Sequence, residues 1–185
     1  MSPALDAAPD ALLAQRAQDG DDRAFAVLVR RHSPFLVAFA TRYMRSSSDA
    51  DDVVQEALIT AWRRLDELRE PERVRSWLAT AVARRATDVL RTRARRDVQP
   101  MPEVEQEDDR SPAPERVAEG RLATTALREA LARLPEDQRE VWLLREMAEL
   151  SYDEIAERLG TSPATVRGRL SRARSAVLAA MEGWR

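Results

Sequence analysis

The chain has 185 residues, of which 34% are charged, 5% are aromatic and five are glycine, and its formal net charge is −2. The abundance of Ala, Leu, Arg and Glu without long Val, Ile or Thr runs is typical of a helical protein, so we predict an all-α fold. The absence of cysteine excludes disulfides, a thiol nucleophile and a cysteine-based zinc site, and the single His32 excludes a histidine-rich metal site.

The first 14 residues lack a basic segment followed by an apolar core, and no apolar run approaches the ~18 residues needed to span a bilayer. We therefore expect a cytoplasmic protein without membrane insertion. Nothing in the sequence resembles a nucleophile–base pair or a metal triad, so we expect neither an enzyme nor a cofactor or metal.

Helical patterns divide the chain into two small domains, predicted at residues 11–96 and 121–182. The intervening segment, 97–120, has four prolines and a clear excess of Asp and Glu. Proline fixes φ and removes backbone donors, and like charges repel, so this linker is predicted to be extended and flexible. It is either a solvated tether or a segment that passes through a basic channel of a partner.

The first long apolar pattern predicts one face of an amphipathic helix. Pro34 predicts either a kink in this helix or the start of a new helix near Ser33, with Ser33 as the cap of the new helix. His32 lies on the same face and is interpreted as a core or boundary residue, not a ligand. The members of this face are Phe25, Leu28, Val29, Leu36, Phe39 and Tyr43.

A second helix is predicted after Ser48, which is positioned to cap it. Its apolar stripe comprises Val53, Val54, Ala57, Leu58, Ala61, Trp62 and Leu65. The opposite face carries Asp51, Asp52, Gln55 and Glu56. Acidic residues in a first turn also suit the helix dipole, so this face is either a partner surface or simple N-terminal charge bias.

The pattern breaks at 66–73 around Pro71, and a helical stripe begins again near Trp77. From residue 84 to 96 there are six arginines and one acid, Asp88, a local field that favours phosphate binding. Trp77 either packs in the core or stacks on an unpaired base.

The C-terminal part has the signature of a helix-turn-helix. Ser151 and Glu154 form a capping-box pattern, Gly160 suits the turn, and Ser162 followed by Pro163 suits a second helix start. No acid occurs from 158 to 181. The outward residues of the second helix are suited to contact with duplex DNA; they are Ser162, Thr165, Arg167, Arg169, Arg172 and Arg174. Thr and Arg near the start of this helix are predicted to contact base edges, and the later arginines are predicted to contact phosphates.

Three segments together resemble the extracytoplasmic-function group of RNA polymerase sigma factors, in the sigma-70 class. DADDVVQEALITAWRRL (49–65) resembles region 2.2, VRSWLATAVARRATDVLRTRARR (74–96) resembles regions 2.3 and 2.4, and 134–174 resembles region 4. The resemblance covers roughly 21–96 and 122–180. The chain departs from the family pattern in regions 2.3 and 2.4. Members of the family commonly have Ile-Ala-Arg followed by Asn, and this chain has Ala-Arg-Arg at 83–85.

The resemblance implies core RNA polymerase (the β′ clamp helices and the β flap), promoter DNA and an anti-sigma factor as partners. It implies that the region 2.2 residues bind polymerase: Asp51, Asp52, Gln55 and Glu56. It implies that regions 2.3 and 2.4 bind and open the −10 element: Trp77, Arg84, Arg85, Asp88 and Arg91. The second helix of the helix-turn-helix, 162–174, would recognise the −35 element.

Two other hypotheses remain at this point. A stand-alone helix-turn-helix regulator would form dimers and use its N-terminal domain as a sensor. A helical adaptor would bind only protein. In either case the acidic 51–56 face and the arginine-rich 84–96 segment would be incidental.

Overall fold

The computed structural model describes residues 3–96 and 116–182, with side chains at 5–95 and 125–182. It divides into two compact units, Met1–Glu103 and Val104–Arg185. Every regular element in the described ranges is helical, which confirms the all-α prediction of two small helical domains. Most of the predicted linker, 97–115, lies outside the described residues.

Within residues 3–96, the N-terminal unit has five helices and two short 3₁₀ turns. The helices are α1 (Pro3–Asp6), α2 (Asp10–Gln18), α3 (Asp22–Met44), α4 (Ala50–Arg63) and α5 (Val74–Arg96), and the 3₁₀ turns are Leu65–Glu67 and Pro71–Arg73. Helix α3 packs against α2, α4 and α5, while α4 also packs against α5. Fully buried side chains from these helices form one core, including Leu13, Leu28, Leu36, Phe39, Leu78 and Val82.

Helix α3 is continuous through Pro34, so the predicted restart at this position is wrong. The Ser33 hydroxyl does not cap a new helix but donates to the carbonyl oxygen of Val29 at 2.7 Å. Proline removes one backbone donor. Buried Leu28 and Leu36 hold the helix in the core on both sides of it, so packing outweighs that loss.

The start of α4 also differs from the prediction. The residue before the helix is Asp49, not Ser48, and its side chain makes no capping hydrogen bond. The Asp49 carboxylate instead accepts from the hydroxyls of Ser46 at 2.9 Å and Ser48 at 3.2 Å. It also pairs with Arg93 on α5 at 2.6 Å. A contact between two helices therefore replaces the local cap.

The C-terminal unit comprises α6 (Arg116–Arg133), α7 (Glu136–Trp142), α8 (Tyr152–Leu159) and α9 (Pro163–Glu182). Helix α7 continues into a single π-helical turn, Leu143–Met147. Helix α9 packs against α6, α7 and α8 around a core that includes Leu131, Leu143, Leu144, Ile155, Val166 and Leu170. Helix α6 begins five positions before the predicted domain start, and α1 and α2 begin before residue 11.

The helix-turn-helix has the local structure that its sequence predicts. The Ser151 hydroxyl accepts from the Glu154 N–H at 3.2 Å, and the Glu154 carboxylate accepts from the Ser151 N–H at 2.7 Å. Gly160 ends α8 with φ 60° and ψ 40°, the left-handed conformation that glycine adopts readily. The Ser162 hydroxyl accepts from the Thr165 N–H at 3.2 Å and caps α9.

Candidate polymerase and nucleic-acid interfaces

The predicted polymerase-binding residues form an exposed acidic surface on α4. Asp51, Asp52, Gln55 and Glu56 are all exposed. Buried Val53, Val54 and Ala57 hold the opposite side of α4 against the core, which fixes the direction of this surface. It is called the α4 acidic surface below.

An apolar side chain that the sequence analysis did not single out follows this surface. Ile59 lies three residues after Glu56 on the same helix, and 53% of its side chain is exposed. Trp62, predicted in the apolar stripe, is 36% exposed, although its ring lies 4.9 Å from that of Phe25. The stripe therefore ends at a partly exposed edge.

The predicted −10 residues fall on two sides of α5. Trp77, Arg84, Asp88 and Arg91 are separated by seven, four and three positions, so they share one helix face. Arg84, Asp88 and Arg91 are exposed, whereas Trp77 is half-buried. Trp77 thus lies at the boundary between the core and the solvent-facing arginines.

Arg85 points to a different side of α5 from the other predicted −10 residues. Its guanidinium forms an ion pair with Glu56 of the α4 acidic surface. Two residues after Arg91, Arg93 pairs with Asp49, and that pairing is the largest reason that the pKa of Asp49 is lowered. Arg85 and Arg93 therefore join α4 to α5, and Arg85 links the two predicted surfaces.

The loop between α4 and α5 is held from α2 by a residue that the sequence analysis missed. The Gln18 side-chain amide donates to the carbonyl oxygens of Leu65 at 3.0 Å and Leu68 at 2.8 Å. Leu65 and Leu68 are themselves buried. A Gln at the end of a short helix carries no sequence signal for a contact about 50 residues away, so only the structure identifies it.

On α9 the predicted −35 residues are mostly exposed. Ser162, Thr165, Arg167, Arg172 and Arg174 are exposed, and Arg169 is half-buried. Val166, Leu170 and Ala173 bury the other side of the helix. Two of the arginines pair with carboxylates of their own unit: Arg169 with Asp137 at 2.9 Å and Arg174 with Glu146 at 2.6 Å.

Tyr152, at the start of α8, lies close to several arginines. The guanidinium carbons of Arg145 and Arg167 lie 5.2 and 5.9 Å from its ring centroid. This is cation–π range. Tyr152 is half-buried, so one part of its ring packs in the unit while these guanidinium groups lie near it.

His32 is buried, as predicted, and its Nε2 lies 2.9 Å from a carboxylate oxygen of Asp10. Burial lowers the pKa of His32 and outweighs the opposing effect of Asp10.

Among the described residues there is no group of three or more His, Cys, Asp or Glu side chains placed to hold a metal ion. None of the helices described here is long and apolar enough to cross a membrane.

Comparison with known proteins assigns both units. The Sigma-70 region 2 family matches residues 28–96, and the Sigma-70 region 4 family matches residues 124–177. The chain is 34% identical over 181 residues to the RNA polymerase sigma factor NccH of Alcaligenes xylosoxydans xylosoxydans, covering 96% of this chain and 97% of NccH. The chain belongs to the extracytoplasmic-function RNA polymerase sigma factors.

Other sigma factors support this assignment. The ECF RNA polymerase sigma-E factor of Escherichia coli K12 is 35% identical over 176 residues, which is 91% of this chain and 92% of the relative. CnrH, solved in complex with the cytosolic domain of CnrY, is 29% identical with a TM-score of 0.61, over 95% of this chain and 99% of CnrH. RpoE of Bartonella quintana, solved with the anti-sigma factor NepR, is 25% identical with a TM-score of 0.64, over 85% of this chain and 96% of RpoE.

As a sigma factor of this group, the protein binds core RNA polymerase and directs promoter-specific initiation. The prediction made from its motifs is confirmed at the level of family, fold and function. The matched region 2 begins within α3, and α1 and α2 pack against α3 in the same unit. The roles of the individual surface residues remain predictions.

Proposed function

We propose that the sigma factor divides initiation among three surfaces. The α4 acidic surface binds the β′ clamp helices of core polymerase, and the Trp77–Arg91 face of α5 binds the opened −10 element. The start of α9 recognises the −35 element, while the C-terminal unit also engages the β flap. The single observation that carries this proposal is that each predicted surface is exposed on a helix whose other side is buried in its unit.

The chemistry of each surface suits its proposed partner. Arg84 and Arg91 favour phosphate contacts, and the half-buried Trp77, two turns before Arg84 on the same face of α5, offers a ring for an unstacked base. Unstacking a base costs a few kcal/mol, which stacking and phosphate contacts offset. Thr165 and Arg167 lie in the first turns of α9, the part of such a helix that meets base edges in the major groove. This mechanism uses binding alone and no covalent catalysis.

We further propose that the protein acts in the cytoplasm and is inhibited by an anti-sigma factor. This rests on CnrH and the Bartonella quintana RpoE, which were solved with CnrY and with the anti-sigma factor NepR, respectively. The 97–115 segment, with its acidic excess, is proposed to pass near the basic channel of polymerase.

The proposal is tested by transcription with the pure chain, core RNA polymerase and a promoter library. Promoter-specific transcripts that require both proteins are expected. Asp52→Arg should abolish polymerase binding while leaving DNA binding by the free chain intact, because Asp52 belongs to the α4 acidic surface and to neither of the proposed DNA-binding surfaces. Asp19→Arg is a matched charge reversal at the exposed end of α2, where a cation suits the helix dipole, and should bind polymerase normally.

Arg167→Ala should produce the converse result. Recognition of the −35 element should weaken by about 1–3 kcal/mol, the range for a side chain that contacts a base, with polymerase binding retained. If specific DNA binding persists without polymerase while no polymerase-dependent transcript forms, the stand-alone regulator replaces the present proposal. Loss of polymerase binding in Arg167→Ala would contradict the assignment of surfaces.

A further inference from the structure

The four arginines of α9 are not equivalent. Arg167 and Arg172 are exposed, and within residues 125–182 neither forms an ion pair. The side chain of Arg169 is only 28% exposed, and its Nε lies 2.9 Å from Asp137 Oδ2. Arg174 donates through both Nε and Nη2 to Glu146 Oε1, at 2.9 and 2.6 Å.

The two carboxylates are held in place by the core of the C-terminal unit. Asp137 lies in the first turn of α7 and Glu146 lies in the π-helical turn that follows α7. Buried Val141, Leu143 and Leu144 lie between them in the chain and anchor this segment beneath α9. The pairs therefore form between helical elements, and none of the four residues lies in a loop.

Arg174 has a second neighbour in addition to Glu146. The Tyr152 hydroxyl also interacts with its guanidinium, and both partners, Glu146 foremost, raise the pKa of Arg174. The side chain of Arg172, by contrast, lies across Gly168, where a Cβ would stand 3.7 Å from its Nη1. Arg172 thus follows the outer surface of α9, while Arg174 is directed back towards the π-helical turn.

An arginine paired with a carboxylate contributes little to DNA binding that is driven by counterion release. Phosphate contacts raise affinity because a cation replaces condensed counterions. An ion pair has little net charge, so it displaces few counterions when it approaches a phosphate. This holds although such a pair stabilises the fold by less than ~1 kcal/mol. Pairing therefore lowers the affinity of α9 for any DNA sequence, without altering arginines that contact bases.

We propose that Asp137 and Glu146 neutralise the charges of Arg169 and Arg174, so that these two arginines contribute little to phosphate binding and α9 binds DNA mainly through Thr165, Arg167 and Arg172. Asp137 and Glu146 are then specificity-determining residues that limit non-specific binding. The inference rests on the proposed −35 role of α9 and refines the set of arginines predicted from the sequence.

The test measures binding of the full free chain to a fluorescein-labelled 30-bp duplex of random sequence by anisotropy between 50 and 200 mM salt. Asp137→Asn and Glu146→Gln keep the side-chain shape and remove the charge. Each freed arginine should steepen the slope of log Kobs against log salt by about 0.9. This corresponds to a further loss of affinity of about 3.5-fold across that salt range.

Glu157→Gln is the matched control, because Glu157 is an exposed acid on α8 in the same unit. Its slope should equal that of the wild type. Equal steepening in all three variants would overturn the proposal, because it would indicate a general effect of net charge. An unchanged slope in both Asp137→Asn and Glu146→Gln, with unchanged circular dichroism spectra, would also overturn it.

A second measurement establishes that the effect passes through the paired arginines. Combining Asp137→Asn with Arg169→Gln, and Glu146→Gln with Arg174→Gln, should remove the steepening, since no arginine is then freed. Steepening that persists in these pairs would refute the mechanism. Because this assay needs no polymerase, its outcome is separate from the transcription test, whose failure would refute the sigma-factor surfaces themselves.

Discussion

Gly160 offers a sharp test of the helix-turn-helix, because its backbone and its surroundings predict separable effects. Its φ of 60° and ψ of 40° lie in the left-handed region, where a Cβ costs roughly 1–2 kcal/mol. A Cβ built at this position meets no heavy atom within 4 Å. Gly160→Ala should therefore be destabilised by backbone strain alone and not by steric overlap.

The magnitude follows from the difference between two effects. Alanine restricts the unfolded chain, which favours folding by ~0.4–1 kcal/mol, but the strain at positive φ exceeds that gain. We expect a net loss of about 1 kcal/mol in the free energy of unfolding of the C-terminal unit. For a unit of this size that loss corresponds to a fall of roughly 4–8 °C in Tm. Gly160→Asn should lose less, because asparagine tolerates this conformation better than alanine.

Differential scanning calorimetry of the full chain measures this loss, with the transition of the N-terminal unit as an internal reference. Alanine should lower only the transition of the C-terminal unit, and asparagine should lower it less. Equal losses for alanine and asparagine would contradict the argument from φ. A loss of 4 kcal/mol or more would show that the space around Gly160 is not open.

Three further predictions concern the N-terminal unit. Burial lowers the pKa of His32 in the folded state. The unfolded chain therefore binds more protons than the folded chain at pH values just below about 6.5, the ordinary pKa of histidine. The contribution of neutral His32 to the free energy of unfolding is present above that pH and falls as the solution is acidified. Urea titrations at several pH values should show this loss, and His32→Gln should remove that part of it. Phe39→Ala should cost about 3–5 kcal/mol in urea denaturation because Phe39 is fully buried, and Phe39→Leu should cost clearly less. A double-mutant cycle of Glu56→Gln and Arg85→Gln should give a coupling energy below ~1 kcal/mol in the free energy of unfolding, because both side chains are exposed. A larger coupling energy would mean that weak polymerase binding by Glu56 variants results from misfolding.

The local features of the helix-turn-helix were determined by the sequence alone. The capping box at Ser151 and Glu154, the turn at Gly160 and the start at Ser162 each depend on residues within four positions of one another. Such short-range hydrogen bonds and backbone preferences act in the same way in any surrounding structure, so the pattern was sufficient to predict them. Helical periodicity likewise predicted the direction of the α4 acidic surface, since a buried stripe fixes the exposed side.

Contacts between distant segments required the tertiary structure. Pro34 remains inside α3 because the core holds the helix on both sides, which local propensity does not include. Asp49 forms hydrogen bonds and an ion pair instead of a cap because Arg93, on another helix, reaches its carboxylate.

The candidate DNA-binding residues illustrate the same limit. Composition and spacing identified the arginines of α5 and α9 but did not show which of them form ion pairs. Only the packing of α4 on α5 brings Glu56 to Arg85, and only the π-helical turn and α7 bring carboxylates to Arg174 and Arg169. The sequence by itself determined which helices form and which faces they expose, because those properties depend on neighbours along the chain. The tertiary structure decided which exposed charges are already paired, because the partners lie 28 to 32 residues away and meet only when the helices pack.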